Sequence, residues 1–207
     1  MSTNINNPIP VAWTRHVTQD PNRLEVIPHV LYDTETFTDA VTTLITFFND
    51  VEATLDLGNT TQPGLLPNPE SFLIKKLRVF AKSQAFTDDS GAAGAFVSAY
   101  NDLVLLYNTG VFQLNLGNKR YGPWPLWMIP ASSFVKGPMT AAGAEAANLV
   151  HEYGQGDGPL YNLNPNLFIS PMQNFNVVLS WPAGAPNLSA DVVLSVVLEG
   201  QLARAVQ

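Results

Sequence analysis

Ala40-Val-Thr-Thr-Leu-Ile-Thr-Phe-Phe48 leads through a short polar connection into Gln62-Pro-Gly-Leu-Leu-Pro-Asn-Pro-Glu70, and Ser71-Phe-Leu-Ile-Lys-Lys-Leu-Arg-Val-Phe80 follows at once. In the first piece threonines alternate imperfectly with apolar residues, and β-branched and aromatic types dominate. That pattern predicts a strand over Val41–Phe47 with one buried face. Pro63, Pro67 and Pro69 fix the backbone at a corner, where a missing amide donor does no harm. Phe72–Ala81 is a second strand. Phe72, Ile74, Lys76, Arg78 and Phe80 share one parity along it; Leu73, Lys75, Leu77, Val79 and Ala81 share the other. Strand, stiff corner and strand make a surface, and the stretch holds almost no catalytic chemistry.

Working outward, Leu24-Glu-Val-Ile-Pro-His-Val-Leu-Tyr32 reads as an edge strand, because Pro28 would break a central ladder. Residues 1–23 read as an extended polar arm with prolines, and 24–207 as one domain. The period changes near Asp88. Asp88-Asp89-Ser90 offers helix N-caps, and Phe96, Val97, Tyr100, Leu103, Val104 and Tyr107 recur at steps of three and four. Asn108-Thr109-Gly110 supplies the stop, giving one helix near residues 90–107. Strand patterns return at Val111–Leu116, Asn174–Trp181 and Asp191–Gly200, with a loop-rich middle over 117–173. Short strands, turn signals and one embedded helix predict a mainly β fold, a single jelly roll or antiparallel β-sandwich. A parallel α/β fold needs a helix between most strands.

Composition narrows the function classes. The 207 residues are 46% hydrophobic and only 13% charged, with 16 Pro and 14 Gly, which suits many turns and large contact surfaces. A chain of this length buries roughly 70% of its unfolded surface and folds without staples. The net charge of −7 and ten scattered basic residues argue against wrapping nucleic acid, so no direct sequence-specific nucleic-acid binding is expected. The first ten residues lack a basic arm and the regions of a signal peptide. No apolar run reaches the length of a membrane span. The absence of cysteine excludes disulfides, a thiol nucleophile and thiolate metal sites.

Chemistry-bearing motifs are sparse. His16, His29 and His151 are far apart, and the His-x-His of cupins, the enzymatic jelly rolls, is missing. No metal or other cofactor is expected. Asp88-Asp89 reads as a helix N-terminus favouring anionic side chains, in preference to a Ca²⁺ loop. Gly154-x-Gly-x-Gly158 has no strand–turn–helix context and no following Lys–Ser/Thr pair, so it reads as a loop. No Gly-x-Ser-x-Gly nucleophile elbow occurs. Lys75, Lys76 and Arg78 form a small basic group on an apolar strand. They act either as edge or solvent-face gatekeepers against aggregation or as salt-bridge contacts to a neighbouring subunit. Tyr121, Trp124, Trp127 and Trp181 are candidate core plugs or interface anchors, with sugar stacking as the alternative use of the aromatic rings. With Lys76 and Arg78 they make up the candidate contact residues.

Asp33-Thr-Glu-Thr-Phe-Thr-Asp-Ala-Val-Thr-Thr-Leu-Ile-Thr-Phe-Phe48, Thr54-Leu-Asp-Leu-Gly-Asn59 and Gly64-Leu-Leu-Pro-Asn-Pro-Glu-Ser-Phe-Leu-Ile74 together resemble the jelly-roll major capsid proteins of tail-less icosahedral bacteriophages. The resemblance is a threonine-rich strand, a short connection and a Leu-Pro-x-Pro-x-x-Phe-Leu-Ile strand; it covers about a quarter of the chain. It implies a non-catalytic structural virion protein, assembled in the host cytoplasm into an icosahedral capsid shell. The implied partners are copies of itself, in trimeric or pseudo-hexameric capsomers, and other virion proteins. An internal membrane is a further implied contact. No catalytic residues carry over. The acidic balance implies that other components meet the genome or that the acidic residues face outward. A carbohydrate- or receptor-binding sandwich is the alternative.

Overall fold

The computed structural model describes residues 24–83, 93–129, 138–140, 148–150 and 161–205. In chain order the elements are β1 (Leu24–Phe37), β2 (Leu44–Phe47), β3 (Ser71–Ser83), helix α1 (Ala93–Thr109), β4 (Val111–Leu116), β5 (Lys119–Pro125), a 3-10 turn (Leu126–Met128), β6 (Pro138–Thr140), β7 (Asn148–Val150), β8 (Tyr161–Ile169), β9 (Phe175–Ser180) and β10 (Val192–Ala205). Two four-stranded antiparallel sheets form, in the order β1-β10-β3-β8 and β2-β9-β4-β5, and β6 and β7 pair as a small hairpin. The chain crosses between the sheets at almost every connection, and β10 returns between β1 and β3. This is the double Greek key of a jelly roll, with the helix inserted between β3 and β4.

The core lies between the sheets. Phe112, Leu114 and Leu116 of β4 and Phe175, Val177 and Leu179 of β9 point inward at every second residue. Leu31 and Phe37 of β1 and Val192, Leu194, Val196 and Leu198 of β10 face them from the other sheet. Pro28 sits on β1, an edge strand as expected, opposite Gln201. The strand continues past Tyr32 to Phe37 because Phe37 reaches the core.

The parity expected for β3 holds only over its first half. Phe72 and Ile74 point inward, but so do Leu77, Val79 and Ala81. Across β10, Lys76 pairs with Glu199 and Ile74 with Gly200, which leaves Lys75 as an extra, bulged residue. The bulge moves the strand by one position, so both apolar series serve the same core. β3 lies between β10 and β8, whose pairing reaches Leu77, so Lys75 and Lys76 do not stand on a sheet edge; the solvent-face position expected of them is the one that applies.

Two connections differ from their sequence reading. β2 begins only at Leu44, and Val41 and Leu44 are exposed. The connection after β2 is long and runs back along β1. Asn59 donates its amide to Tyr32 O (3.2 Å), accepts from Tyr32 N at Oδ1 (3.0 Å) and donates from Nδ2 to Val30 O (2.6 Å). Gly58 bridges Asp33, so this segment covers the outer edge of β1. The proline corner then carries the chain from one sheet to the other. Gly64 O accepts from Phe175 N (2.8 Å) and Leu66 O from Met172 N (3.0 Å). Gly64 has φ +57°, and an added Cβ would stand 2.9 Å from Phe175 O, so the corner requires glycine there.

The middle expected to be loop-rich contains β5 and β8, an edge strand of each sheet. Pro123 and Pro125 on β5 explain the misreading: they weaken a strand signal yet are tolerated at an edge. Helix α1 falls where periodicity places it. Asp102 and Leu106 are buried and Leu103 and Tyr107 pack on the core, whereas Val104 is exposed. The side chains of Phe96, Val97 and Tyr100, the Asp88-Asp89-Ser90 cap, the 1–23 arm, His16, His151 and the 154–158 glycines lie outside the described residues.

Candidate functional site

The helix end organises one end of the sandwich. Tyr107 Oη donates to Val79 O (2.7 Å), tying α1 to β3 beyond the stretch that β8 covers. Burial raises the Tyr107 phenol far above its ordinary range, so it stays a donor. The buried Asp102 carboxylate accepts from Ser189 N (3.0 Å to each oxygen) and from Ser189 Oγ, anchoring the β9–β10 connection to the helix. Trp181 is 1% exposed. Its Nε1 donates to Leu106 O (3.1 Å), and its ring meets Phe37 edge-on at 4.6 Å. Trp181 therefore presents no surface to a neighbouring subunit; it is a core residue.

The other aromatic candidates separate along one edge strand. Tyr121 pairs with Leu114 in register and Trp124 with Phe112, and both lean partly buried on the core. Trp124 stacks on Phe112 with centroids 6.0 Å apart. Trp127, on the turn just beyond, is 58% exposed. Met128 beside it and Val104 and Leu105 of α1 are also exposed, and the turn packs against the helix, with Leu126 N donating to Gly110 O (2.8 Å). One aromatic candidate thus stands out in solvent, two lie half-buried, and Trp181 is internal.

Lys76 and Arg78 project from the outer face of the first sheet. The Arg78 guanidinium pairs with Glu199 on the adjacent β10, within the same chain. The subunit contact expected of this side chain is therefore met, at least in part, inside the fold.

A further cluster was not singled out from the sequence. The carboxylates of Asp33, Glu35 and Glu52 approach one another within 4.8 Å where the connection after β2 meets β1. Asp33 is buried; its Oδ1 accepts from Thr34 N (2.9 Å) and its Oδ2 from Phe48 N. Those two amides explain why a carboxylate belongs there, since Phe48 turns the chain at φ +63°. Burial nevertheless raises the Asp33 carboxyl above the ordinary carboxylate range. Burial, then the charges of Asp33, Glu52 and Asp50, raises Glu35; burial, then Asp33 and Asp50, raises Glu52. The cluster prefers to share protons. The signal for it was present in the chain as eight acidic and no basic residues over 24–74, but no spacing rule joins Glu52 to Asp33.

A pH effect follows. With folded-state values raised, the folded chain holds more protons than the unfolded one above the ordinary carboxylate range. Stability contributed there is full at low pH and falls as pH rises through the raised values. Glu52→Gln keeps a donor toward Asp33 without the charge. We expect it to raise Tm by about 2 °C at pH 8 and to flatten the decline between pH 4 and 8 in a thermal scan. An unchanged decline with no gain at pH 8 would show that the carboxylates do not interact.

His29 lies half-buried, edge-on to Phe72 at 6.3 Å, and burial lowers its pKa. Among the described residues no helix is long and apolar enough to cross a membrane. Comparison with protein-family models, with curated proteins and with solved structures returns no match in any of the three.

Proposed function

We propose that the protein is a structural virion subunit that self-assembles into the icosahedral capsid shell of a tail-less bacteriophage. The observation that carries this reading is the jelly-roll strand order, β1-β10-β3-β8 over β2-β9-β4-β5, built around the very segment, 33–74, whose sequence resembles such capsid proteins. Fold alone hosts lectins and enzymes as well, so the exposed surface adds the second support. Val104, Leu105, Trp127 and Met128 leave apolar area in solvent on adjoining elements, as interface anchors do. The role is non-catalytic. The partners are other copies of the chain, in trimeric or pseudo-hexameric capsomers, and further virion proteins.

The working mechanism is burial of this apolar and aromatic surface between subunits; obligate interfaces commonly bury over about 2,000 Å². Negative-stain microscopy with light scattering of the purified chain tests it. Capsomers or closed shells are expected, and Trp127→Asp should reduce them at least tenfold in apparent association without lowering Tm by more than about 2 °C. A monodisperse monomer at high concentration would overturn the proposal. Trp127 also favours a second reading, a glycan- or receptor-binding module, because its exposed indole offers a stacking platform. Saturable glycan binding by a monomer, lost in Trp127→Ala, would select it.

A further inference from the structure

Charge is segregated along this chain in a way that the fold turns into two separate surfaces. Residues 24–74 hold eight acidic and no basic side chains, and residues 75–82 hold Lys75, Lys76, Arg78 and Lys82 with no acidic one. The basic series lies on β3, in the interior of the first sheet. Beyond the bulge, Leu77, Val79 and Ala81 point into the core, so Lys76, Arg78, Phe80 and Lys82 point outward. Phe80 is 42% exposed, and Val30, two strands away, is exposed as well. Register places Lys76 in a row with Glu199 and Val30, Phe80 with Ser195 and Thr34, and Lys82 with Val193 and Thr36. Glu199 offsets one of the three outward cations. The face is therefore a basic stripe set among exposed apolar side chains.

The acidic surface has the complementary make-up. In the connection after β2, Asp50 and Asp56 are exposed and Glu52 is partly so. Between them Val51, Leu55 and Leu57 are exposed, Leu55 by 78%. This segment is held against β1 by Gly58 and Asn59, and Tyr32 Oη, on the outward side of β1, donates to Leu55 O. The acidic loop thus flanks the same outer face as the basic stripe, on the other side of β10. Two strand spacings, about 10 Å, separate β1 from β3. That is roughly a Debye length at physiological salt, so the two patches do little to neutralise each other within one molecule.

We propose that the outer face of the β1-β10-β3-β8 sheet is a docking surface for a second copy of this chain, whose acidic 49–57 loop covers the Lys76–Phe80–Lys82 stripe. The proposal rests on the self-assembly reading and names a surface for it. A two-fold axis lying in the contact and parallel to β10 satisfies both loops at once, each over the partner's stripe. A two-fold axis across the strands would set loop on loop and is disfavoured by like charge. Val51, Leu55 and Leu57 then meet Phe80, and the charges fix which way round the copies face.

Charge reversal in trans tests this. Variant one carries Lys76→Glu and Lys82→Glu; variant two carries Asp50→Lys and Asp56→Lys. Sedimentation at about 50 mM and 500 mM salt reads association, and circular dichroism checks each fold. Each variant alone should associate at least tenfold more weakly than the native chain at low salt, and an equimolar mixture should recover native association. The native chain should itself weaken at high salt. Variants that associate like the native chain, or a mixture that fails to recover, would overturn this surface while leaving self-assembly standing. A native chain that stays monomeric throughout would overturn both. Should either variant fail to fold, salt-independent association of the native chain is the result that overturns the surface.

Discussion

Replacing Gly200 with alanine is expected to destabilise the protein by at least about 3 kcal/mol, seen as a fall in Tm of about 6–12 °C. The cause is a backbone contact. Gly200 of β10 pairs with Ile74 of β3 immediately beside the bulged Lys75. The bulge drives the preceding residue toward β10, and a Cβ on Gly200 would stand 2.8 Å from the Leu73 carbonyl carbon, nearer still to its oxygen, and 3.2 Å from the Phe72 ring. A flexible side chain could move aside; the carbonyl of a central strand, bonded into its sheet, cannot. The alternatives for the mutant are separation of β3 from β10 or loss of the bulge, and loss of the bulge would turn Leu77, Val79 and Ala81 out of the core. Gln201→Ala, one residue on and half-exposed, is the control and should stay within about 0.5 kcal/mol. A Gly200→Ala protein with native Tm would mean that the bulge is not where the register places it.

Trp181→Ala should cost about 3–5 kcal/mol, and Trp181→Phe about 1–2 kcal/mol. The indole closes the end of the sandwich where β9, the end of β1 and the end of α1 meet. Alanine removes the ring that contacts Phe37 and leaves a cavity among residues of both sheets. Phenylalanine keeps most of the volume but loses the Nε1 donor to Leu106 O. That carbonyl retains Gly110 N at 3.1 Å, so the smaller loss is the expected one. Urea unfolding of the dissociated chain, with near-ultraviolet circular dichroism as the probe, distinguishes the roles. An interface anchor would change association and spare the stability of the isolated chain. Here the order is reversed: stability falls first. Equal stability of Trp181→Ala and the native chain would return Trp181 to the interface.

Gly200 and Trp181 lie where local pattern stops being informative. Strand periodicity placed β4, β9 and most of β10 because each has one wet and one dry face, and a period of two survives in the sequence. It failed within β3 because a bulge resets the period, and Lys75 and Lys76 look alike whichever of them is extra. It failed at β5 because edge position, which excuses Pro123 and Pro125, is a property of the finished sheet. On α1 it chose Val104 and passed over Leu106, since one apolar residue in a row of four is buried only by what lies opposite.

The candidate contact residues divide on the same ground. Aromatic identity marked Tyr121, Trp124, Trp127 and Trp181 as large contributors to some contact; Tyr121, Trp124 and Trp181 make theirs within the chain. Whether the contact is with the chain's own core or with a partner depends on which side of a sheet the ring falls, and only Trp127 is left mainly in solvent. Lys76 and Arg78 were marked by unusual charge on an apolar strand. Their common outward face, and the acidic loop two strands away, required the register of β1, β10 and β3.

By itself the sequence determined the β class, the helix ending at Thr109, the proline corner at 62–70 and the scarcity of catalytic motifs, because these follow from backbone preferences and from residue types present or missing within a few positions. The strand order, the switch of parity at Lys75, the need for glycine at 200 and the gathering of Asp33, Glu35 and Glu52 were decided by the tertiary structure alone. Each depends on a neighbour from about twenty to more than a hundred residues away, and no local period encodes which distant segment will lie alongside.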